Sequence, residues 1–218
     1  MLAADLINEE FFAHRITPQQ LDLLLADGWR HFGTHFFRYN LGVYEFETRA
    51  VIPLRIRLVD FALSKNQRRV LRKNSDLQAT IQPVSITPEK ELLFDRHKIR
   101  FKSGIPDTIY DFISIDSPCE TLEVSVTVDD RVIAASFLDV GGDSVSSVYA
   151  MFEPAESARS LGIFTLLKEI EFAQENGKEF FYLGYCYEGE SFYDYKKRFR
   201  ATEMFDWHGN WKKFEPAP

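Results

Sequence analysis

The sequence predicts a mixed α/β (α+β) protein whose sheet is mostly antiparallel and flanked by helices. Three features predict it. Residues 122–128, 131–140 and 144–152 alternate apolar and polar side chains, and Asp129-Asp130 and Gly141-Gly142-Asp143 separate them as turns, so they form a three-stranded meander. Ile163, Leu166, Leu167 and Ile170 then recur at i, i+3, i+4, i+7, the stripe of an amphipathic helix. Asn176-Gly177 stops that helix, and 180–186 is the next strand. The handedness rule for β-helix-β crossovers lays it parallel to the third strand of the meander.

The first half is read from its own signals. Thr17-Pro18-Gln19-Gln20 opens a helix, with Thr as N-cap and Pro in the first turn. Leu21, Leu24 and Leu25 form its stripe, and Gly28 ends it. Residues 29–58 are β, with a hairpin-like pair across His31-Phe32-Gly33 and Thr34-His35-Phe36-Phe37 and an alternating strand over 51–58. Ser64-Lys65-Asn66-Gln67 is a capping box that opens a helix running to about Asn74. Thr87-Pro88-Glu89 starts another, which ends near Ser103-Gly104. Residues 105–117 are a lid or a connector, and 154–160 are a loop. The expected division is an N-terminal region, 1–85, carrying a small sheet and a basic helix, and a second domain, 86–218. The chain has no internal repeat, low-complexity tract or long linker.

A chain of 218 residues with 45% hydrophobic and 27% charged content is ordinary for a globular protein, and 20 Phe and 9 Tyr supply a large core. A net charge of −7 argues against a basic coat for nucleic acid but leaves room for a local basic groove. Cys119 and Cys186 form no CxxC, and of five histidines only His31 and His35 are close in sequence, so no metal or iron–sulfur cluster is expected. No cofactor is expected either. Met1-Leu2-Ala3-Ala4-Asp5 lacks the pattern of a signal peptide, and no apolar run spans a bilayer, so the expectation is a cytoplasmic protein without membrane contact.

Three motifs carry chemistry. Lys65, Arg68, Arg69, Arg72 and Lys73 fall at i, i+3, i+4, i+7, i+8, five cations on one helical face without an acidic partner there. An isolated charge run is usually a solvated face. In an acidic chain this one points to a polyanion, RNA phosphate above all. Ser157-Ala158-Arg159-Ser160-Leu161-Gly162 stands between a strand and a helix, where backbone N–H groups attract phosphate or an oxyanion, with Arg159 adding charge and Gly162 allowing close approach. A plain capped loop is the bland alternative. Third, the strand 180–185 leads through a loop into Phe192-Tyr193-Asp194-Tyr195-Lys196-Lys197-Arg198-Phe199, rings and cations at a strand's C-terminal end. Tyr182 reads equally as core.

The meander–loop–helix–strand order resembles the GNAT-like acyl-CoA N-acyltransferase fold. Val51-Ile52-Pro53-Leu54-Arg55-Ile56, the helix Ser64 to Leu77 with its Gln67-Arg68-Arg69, Ser146-Ser147-Val148-Tyr149, Arg159-Ser160-Leu161-Gly162, Tyr182-Leu183-Gly184-Tyr185 and Tyr195-Lys196-Lys197-Arg198-Phe199 resemble the arginyl-tRNA–protein transferase family, including its bacterial leucyl-transferring branch. Gly28-Trp29-Arg30-His31-Phe32-Gly33 fits as well. The resemblance implies transfer of arginine or leucine from aminoacyl-tRNA to the N-terminal α-amine of an acceptor protein, which marks it for degradation. The family's cysteine cluster before the Val-Pro-Leu-Arg strand is missing from Tyr39-Asn40-Leu41-Gly42-Val43-Tyr44-Glu45, so any function tied to it is expected to be absent.

For that chemistry the expected catalytic side chains are Tyr149, Tyr185 and Tyr195, with Arg159, Gly162, Lys196 and Arg198 binding substrate and the five basic-helix residues binding tRNA. An aminoacyl ester is already activated, so positioning matters more than a strong base. Lys196 or Arg198 would pair with the carboxylate of an acceptor beginning with Asp or Glu. Two other readings fit parts of the sequence: a GNAT acetyltransferase using acetyl-CoA, for which five further cations are superfluous, and a non-catalytic RNA- or peptide-binding relative.

Overall fold

The computed structural model describes residues 6–101, 106–114 and 116–215. In chain order its elements are β1 (Asn8–Phe12), α1 (Pro18–Ala26), β2 (Arg30–Phe32), β3 (His35–Tyr39), β4 (Leu41–Tyr44), β5 (Glu47–Arg57), α2 (Lys65–Lys73), β6 (Gln78–Pro83), α3 (Pro88–Lys98), β7 (Thr121–Val128), β8 (Arg131–Val140), β9 (Ser144–Phe152), α4 (Leu161–Glu175), β10 (Phe180–Tyr187), β11 (Thr202–Phe205) and β12 (Trp211–Lys213). A nine-stranded sheet runs β12-β11-β5-β10-β9-β8-β7-β6 with β4 attached to β5, and β1-β3-β2 form a separate small sheet. β9 and β10 are parallel, as the crossover rule requires, and the other strand pairs of the described residues are antiparallel. The large sheet crosses the expected division at residue 85, because β5 and β6 are strands of it.

Local chemistry sets the boundaries. Thr17 and Gln20 exchange side-chain-to-backbone bonds at the start of α1, and Ser64 and Gln67 do so at the start of α2, satisfying amide groups that a helix end leaves orphaned. Asp129 and Asp130 both take left-handed φ, 48° and 60°, as the tight β7–β8 hairpin demands. α3 stops at Lys98, earlier than expected, because the Arg100 and Phe101 amides turn back to the His97 and Lys98 carbonyls in tight i→i+3 bonds. Ser103 and Gly104 lie outside the described residues, as do Met1 to Asp5. The expected loop 154–160 and the segment 192–199 contain short 3₁₀ turns, Pro154–Arg159 and Phe192–Arg198. β1, β6, β11 and β12 were not anticipated, and all four are edge or near-edge strands with weak alternation. No helix of the described residues is long and apolar enough to cross a membrane.

Both faces of the central strands are buried. Ala134 and Leu138 of β8, with Ile56 and Phe181, pack beneath Phe164, Leu167 and Ile170 of α4. On the other face Ala135, Phe137 and Met151 pack with Leu93 and Phe94 of α3. Phe181 is fully buried. Phe181→Ala should cost about 3–5 kcal/mol of folding stability, since the cavity it leaves lies between sheet and helix, where neither collapses easily. Urea unfolding measures this, and a loss under 1 kcal/mol on that scale would show a core that repacks.

Candidate active site

The parallel contact between β9 and β10 lasts three residues, Phe180↔Ser144 to Tyr182↔Ser146. The β10 register on β5 then slips between Tyr182 and Gly184, and Gly184 takes a φ of +82°. β10 bends away while β9 runs on to Phe152 on β8 alone. The gap opens into a cavity of about 620 Å³. Its walls come from β9, β10, the first turns of α4, the 3₁₀ turn after β10 and the β2–β3 hairpin, with His97 of α3 at one side. Many lining residues are apolar, among them Phe32, Phe37, Phe112, Val148, Phe152 and Leu166.

Two cations meet at the point of divergence. Arg30 donates to Ser146 Oγ and to the Ser147 carbonyl freed by the splay. Lys196 Nζ donates to the Tyr185 carbonyl at 3.0 Å. A methyl group on Gly184 would stand 3.3 Å from Lys196 Nζ and 3.4 Å from Arg30 Nη2, so both heads crowd one glycine. Neither has a carboxylate at ion-pair distance among the described residues. Burial, and then Arg30, pull the Lys196 ammonium down to about 7. Glu169 on α4 is fully buried at the cavity wall, with neither oxygen hydrogen-bonded among the described residues. Burial raises its carboxyl to about 8, with the Ser136 and Ser147 hydroxyls offsetting part of the effect. His97 faces the Phe152 backbone, 3.1 Å from the carbonyl and 3.2 Å from the amide, and burial lowers it to about 4, so the ring is neutral at pH 7.

Tyr149, Tyr185, Tyr195, Gly162 and Lys196 line this cavity. The three phenols are all raised by desolvation, so they stay protonated at neutral pH. Tyr185 donates to the Gly28 carbonyl at 2.6 Å, whereas the buried Tyr149 hydroxyl has no partner among the described residues. Arg159 and Arg198 lie outside the cavity lining. Arg159 forks onto both oxygens of Asp76 at 3.0 Å and reaches Glu156, which occupies its donors, and Arg198 is solvent-exposed. Arg30 and Glu169 were not among the expected site residues. Arg30 sits in the motif Gly28 to Gly33, but nothing in the sequence places it beside Lys196, and Glu169 reads as an ordinary helix acid.

Lys65, Arg68, Arg69, Arg72 and Lys73 are all exposed on α2, and Gln67, Val70 and Leu71 turn inward on its other side. Lys73 reaches the Ala158 carbonyl, Asn74 donates to the Arg159 carbonyl at 3.0 Å, and Asp76 holds Arg159. The basic face is therefore anchored to the turn that precedes α4.

Residues 89–206 match the family described as "Arginine-tRNA-protein transferase, C terminus". The chain is 29% identical over 206 residues to a Leptospira interrogans protein named aspartate/glutamate leucyltransferase, covering 88% of this chain and 77% of the relative. A protein of the same name from Helicobacter hepaticus is 30% identical over 202 residues, covering 89% and 82%. Among solved structures the chain is similar to FemX, at 10% identity and a TM-score of 0.54, over 90% of this chain and 69% of FemX, a likeness of fold. It spans 55% of two further solved chains, each at a TM-score of 0.48.

The lowered Lys196 makes a stability prediction with a definite sign. Between about 7 and the ordinary 10.5 the unfolded chain holds this proton and the folded chain does not, so stability rises with pH across that window. Lys196→Met removes that part of the slope. Urea unfolding at about pH 6 and about pH 9 should find the Met variant's relative gain larger at the lower pH. A difference independent of pH would mean that Lys196 is solvated.

Proposed function

Because this chain belongs to the arginine-tRNA-protein transferase family, and is thus an aminoacyltransferase, we propose that it moves leucine from charged tRNA to the α-amine of acceptors that begin with Asp or Glu. The observation that carries the acceptor half is the pair of cations, Arg30 and Lys196, that converge without a carboxylate at ion-pair distance. Two like charges held together in a partly buried site repel until an anion joins them, and a carboxylate side chain supplies one with hydrogen-bond geometry. Arg30 is proposed in the part that the sequence reading assigned to Arg198 beside Lys196.

Leucine rather than arginine fits the apolar cavity wall and the names of both relatives. The ester carbonyl becomes an oxyanion during attack, and the amides of Leu161 and Gly162 at the start of α4 or the Tyr149 hydroxyl are the donors suited to it. The α-ammonium, with a reference pKa of about 7.7–8.0, must first lose a proton. Glu169, near 8, is mostly protonated at neutral pH, and its ionised fraction is the base matched to receive that proton directly or through one water. The tRNA body lies along α2, whose exposed cations exceed what a small acyl carrier needs.

Two measurements test this. With leucyl-tRNA as donor, Lys196→Met should raise KM for Asp- and Glu-initiated peptides about 10–100-fold, as expected when a buried charged hydrogen bond is lost, with a smaller effect on Gly-initiated peptides. Equal losses on all peptides would remove Lys196 from acceptor recognition. The triple variant Arg68→Ala, Arg69→Ala, Arg72→Ala should stay folded, bind tRNA more weakly and lose about two units of its log–log salt slope. Unchanged tRNA affinity in the folded variant, with acetyl transfer from acetyl-CoA, would overturn the donor assignment.

A further inference from the structure

We propose that His31, Cys119 and Asp139 form a binding site for one divalent transition-metal ion of the zinc class. The residues come from β2, from the segment before β7 and from the end of β8. One ligand atom from each lies within 4.8 Å of the other two. His31 Nε2 stands 3.0 Å from Asp139 Oδ2 and 3.7 Å from Cys119 Sγ. Zinc bonds of about 2.0–2.1 Å to nitrogen and oxygen and about 2.3 Å to sulfur give tetrahedral edges of about 3.4 Å and about 3.6 Å. These two spacings lie within roughly 0.4 Å of those edges, and the Asp139–Cys119 pair stays within 4.8 Å.

The atoms are also held in the orientation a metal needs. His31 Nδ1 is 2.9 Å from the Gly33 carbonyl, which fixes the ring proton there and turns Nε2 toward the cluster. The second Asp139 oxygen accepts from Thr121 Oγ1 at 2.7 Å, and Thr121 is braced by Ser117 at 2.7 Å. A carbonyl orienting the imidazole and a hydroxyl orienting the carboxylate are the outer contacts of a built metal site.

The plainer account is a buried imidazolium–carboxylate pair. It satisfies His31 and Asp139, but a proton on Nε2 can be aimed at only one of its two neighbours, and the thiol is left with a long 4.0 Å contact to Ser117 Oγ. An ion engages all three. Its binding releases the thiol proton, and any proton on Nε2, to solvent. Thiolate and carboxylate then cancel the ion's two charges, so the loaded site adds no net charge beside Arg30, the neighbour of His31. Cys119 is half-buried rather than fully enclosed, and a water would complete the fourth position of the bound ion. Bound there, the ion would tie the small sheet, through β2, to β7 and β8 of the large one.

The test uses the full chain, stripped of metal by a chelator and kept reduced, titrated with Zn²⁺ by calorimetry and with Co²⁺ by absorption spectroscopy. One equivalent should bind, and Co²⁺ should give a thiolate-to-metal charge-transfer band. Cys119→Ser should abolish the band and weaken Zn²⁺ binding by at least about 100-fold, whereas Cys186→Ala should leave both unchanged. Thr121→Val, one contact further out, should weaken Zn²⁺ about 10–100-fold. Circular dichroism checks each fold. If Cys119→Ser does not fold, protection of Cys119 from alkylation by one equivalent of Zn²⁺ in the unmutated chain reads the same contact. No saturable Zn²⁺ binding, binding that survives Cys119→Ser undiminished, or no protection of the thiol overturns the proposal.

Discussion

β9 and β10 stay hydrogen-bonded for three residues and part at Gly184, whose left-handed φ a side chain adopts only with strain. Parting two central strands exposes backbone groups that a continuous sheet would pair, and each one buried without a partner costs about 1–3 kcal/mol. Arg30 meets the Ser147 carbonyl on β9, and Lys196 meets the Tyr185 carbonyl on β10. The cations of the proposed anion site are thus the groups that let the strands diverge. Gly184 serves both purposes, since any side chain there would press on the two charged heads.

The same economy applies to the basic helix. A row of five exposed cations on α2 gains nothing from its own neighbours, and surface charge of one sign destabilises modestly. What holds α2 is its other side: Gln67 closes the capping box, Val70 and Leu71 join the core, and Asn74 and Asp76 fasten the turn before α4. Arg159 is a structural member of that fastening. Its bidentate pair with Asp76 is exposed, worth less than a buried one, but its geometry fixes how the basic face stands relative to the first turn of α4.

Elements announced by short-range patterns were legible in the sequence. The Thr17 N-cap, the Ser64 capping box, the Asp129-Asp130 hairpin and the Ile163–Ile170 stripe each need only a few consecutive residues, and each formed where expected. The parallel β9–β10 pair followed from chain order and handedness. β6 and β12 were missed because edge strands carry little alternation. Lys196, Gly162 and the three tyrosines all line the cavity, and their clustering near a strand end or a helix start is what brought them forward in the sequence. Arg159 stands outside that lining, paired with Asp76, a partner 83 residues away that the sequence does not announce. Arg30 beside Lys196, and His31 beside Cys119 and Asp139, were invisible for the same reason: His31 was weighed against His35, its neighbour in sequence, while His35 turns to Glu10.

On the proposed reading, the depressed Lys196 couples acceptor binding to protons. A group near 7 is half-charged at neutral pH, and an arriving carboxylate favours the charged form, so binding draws a proton onto Lys196. The reaction needs the opposite at the acceptor's other end, where the α-ammonium must give a proton up before it can attack. Glu169, raised by burial into the range of that amine, stands at the same cavity, and Arg30 lies between the electrostatic fields of both. A proton passed from the α-ammonium to Glu169 stays within the complex, so uptake at Lys196 is not offset and forming the reactive complex draws protons from solvent near neutrality. Arg30 stays charged throughout and holds the carboxylate when Lys196 does not, which is why two cations of different basicity suit the site better than two alike.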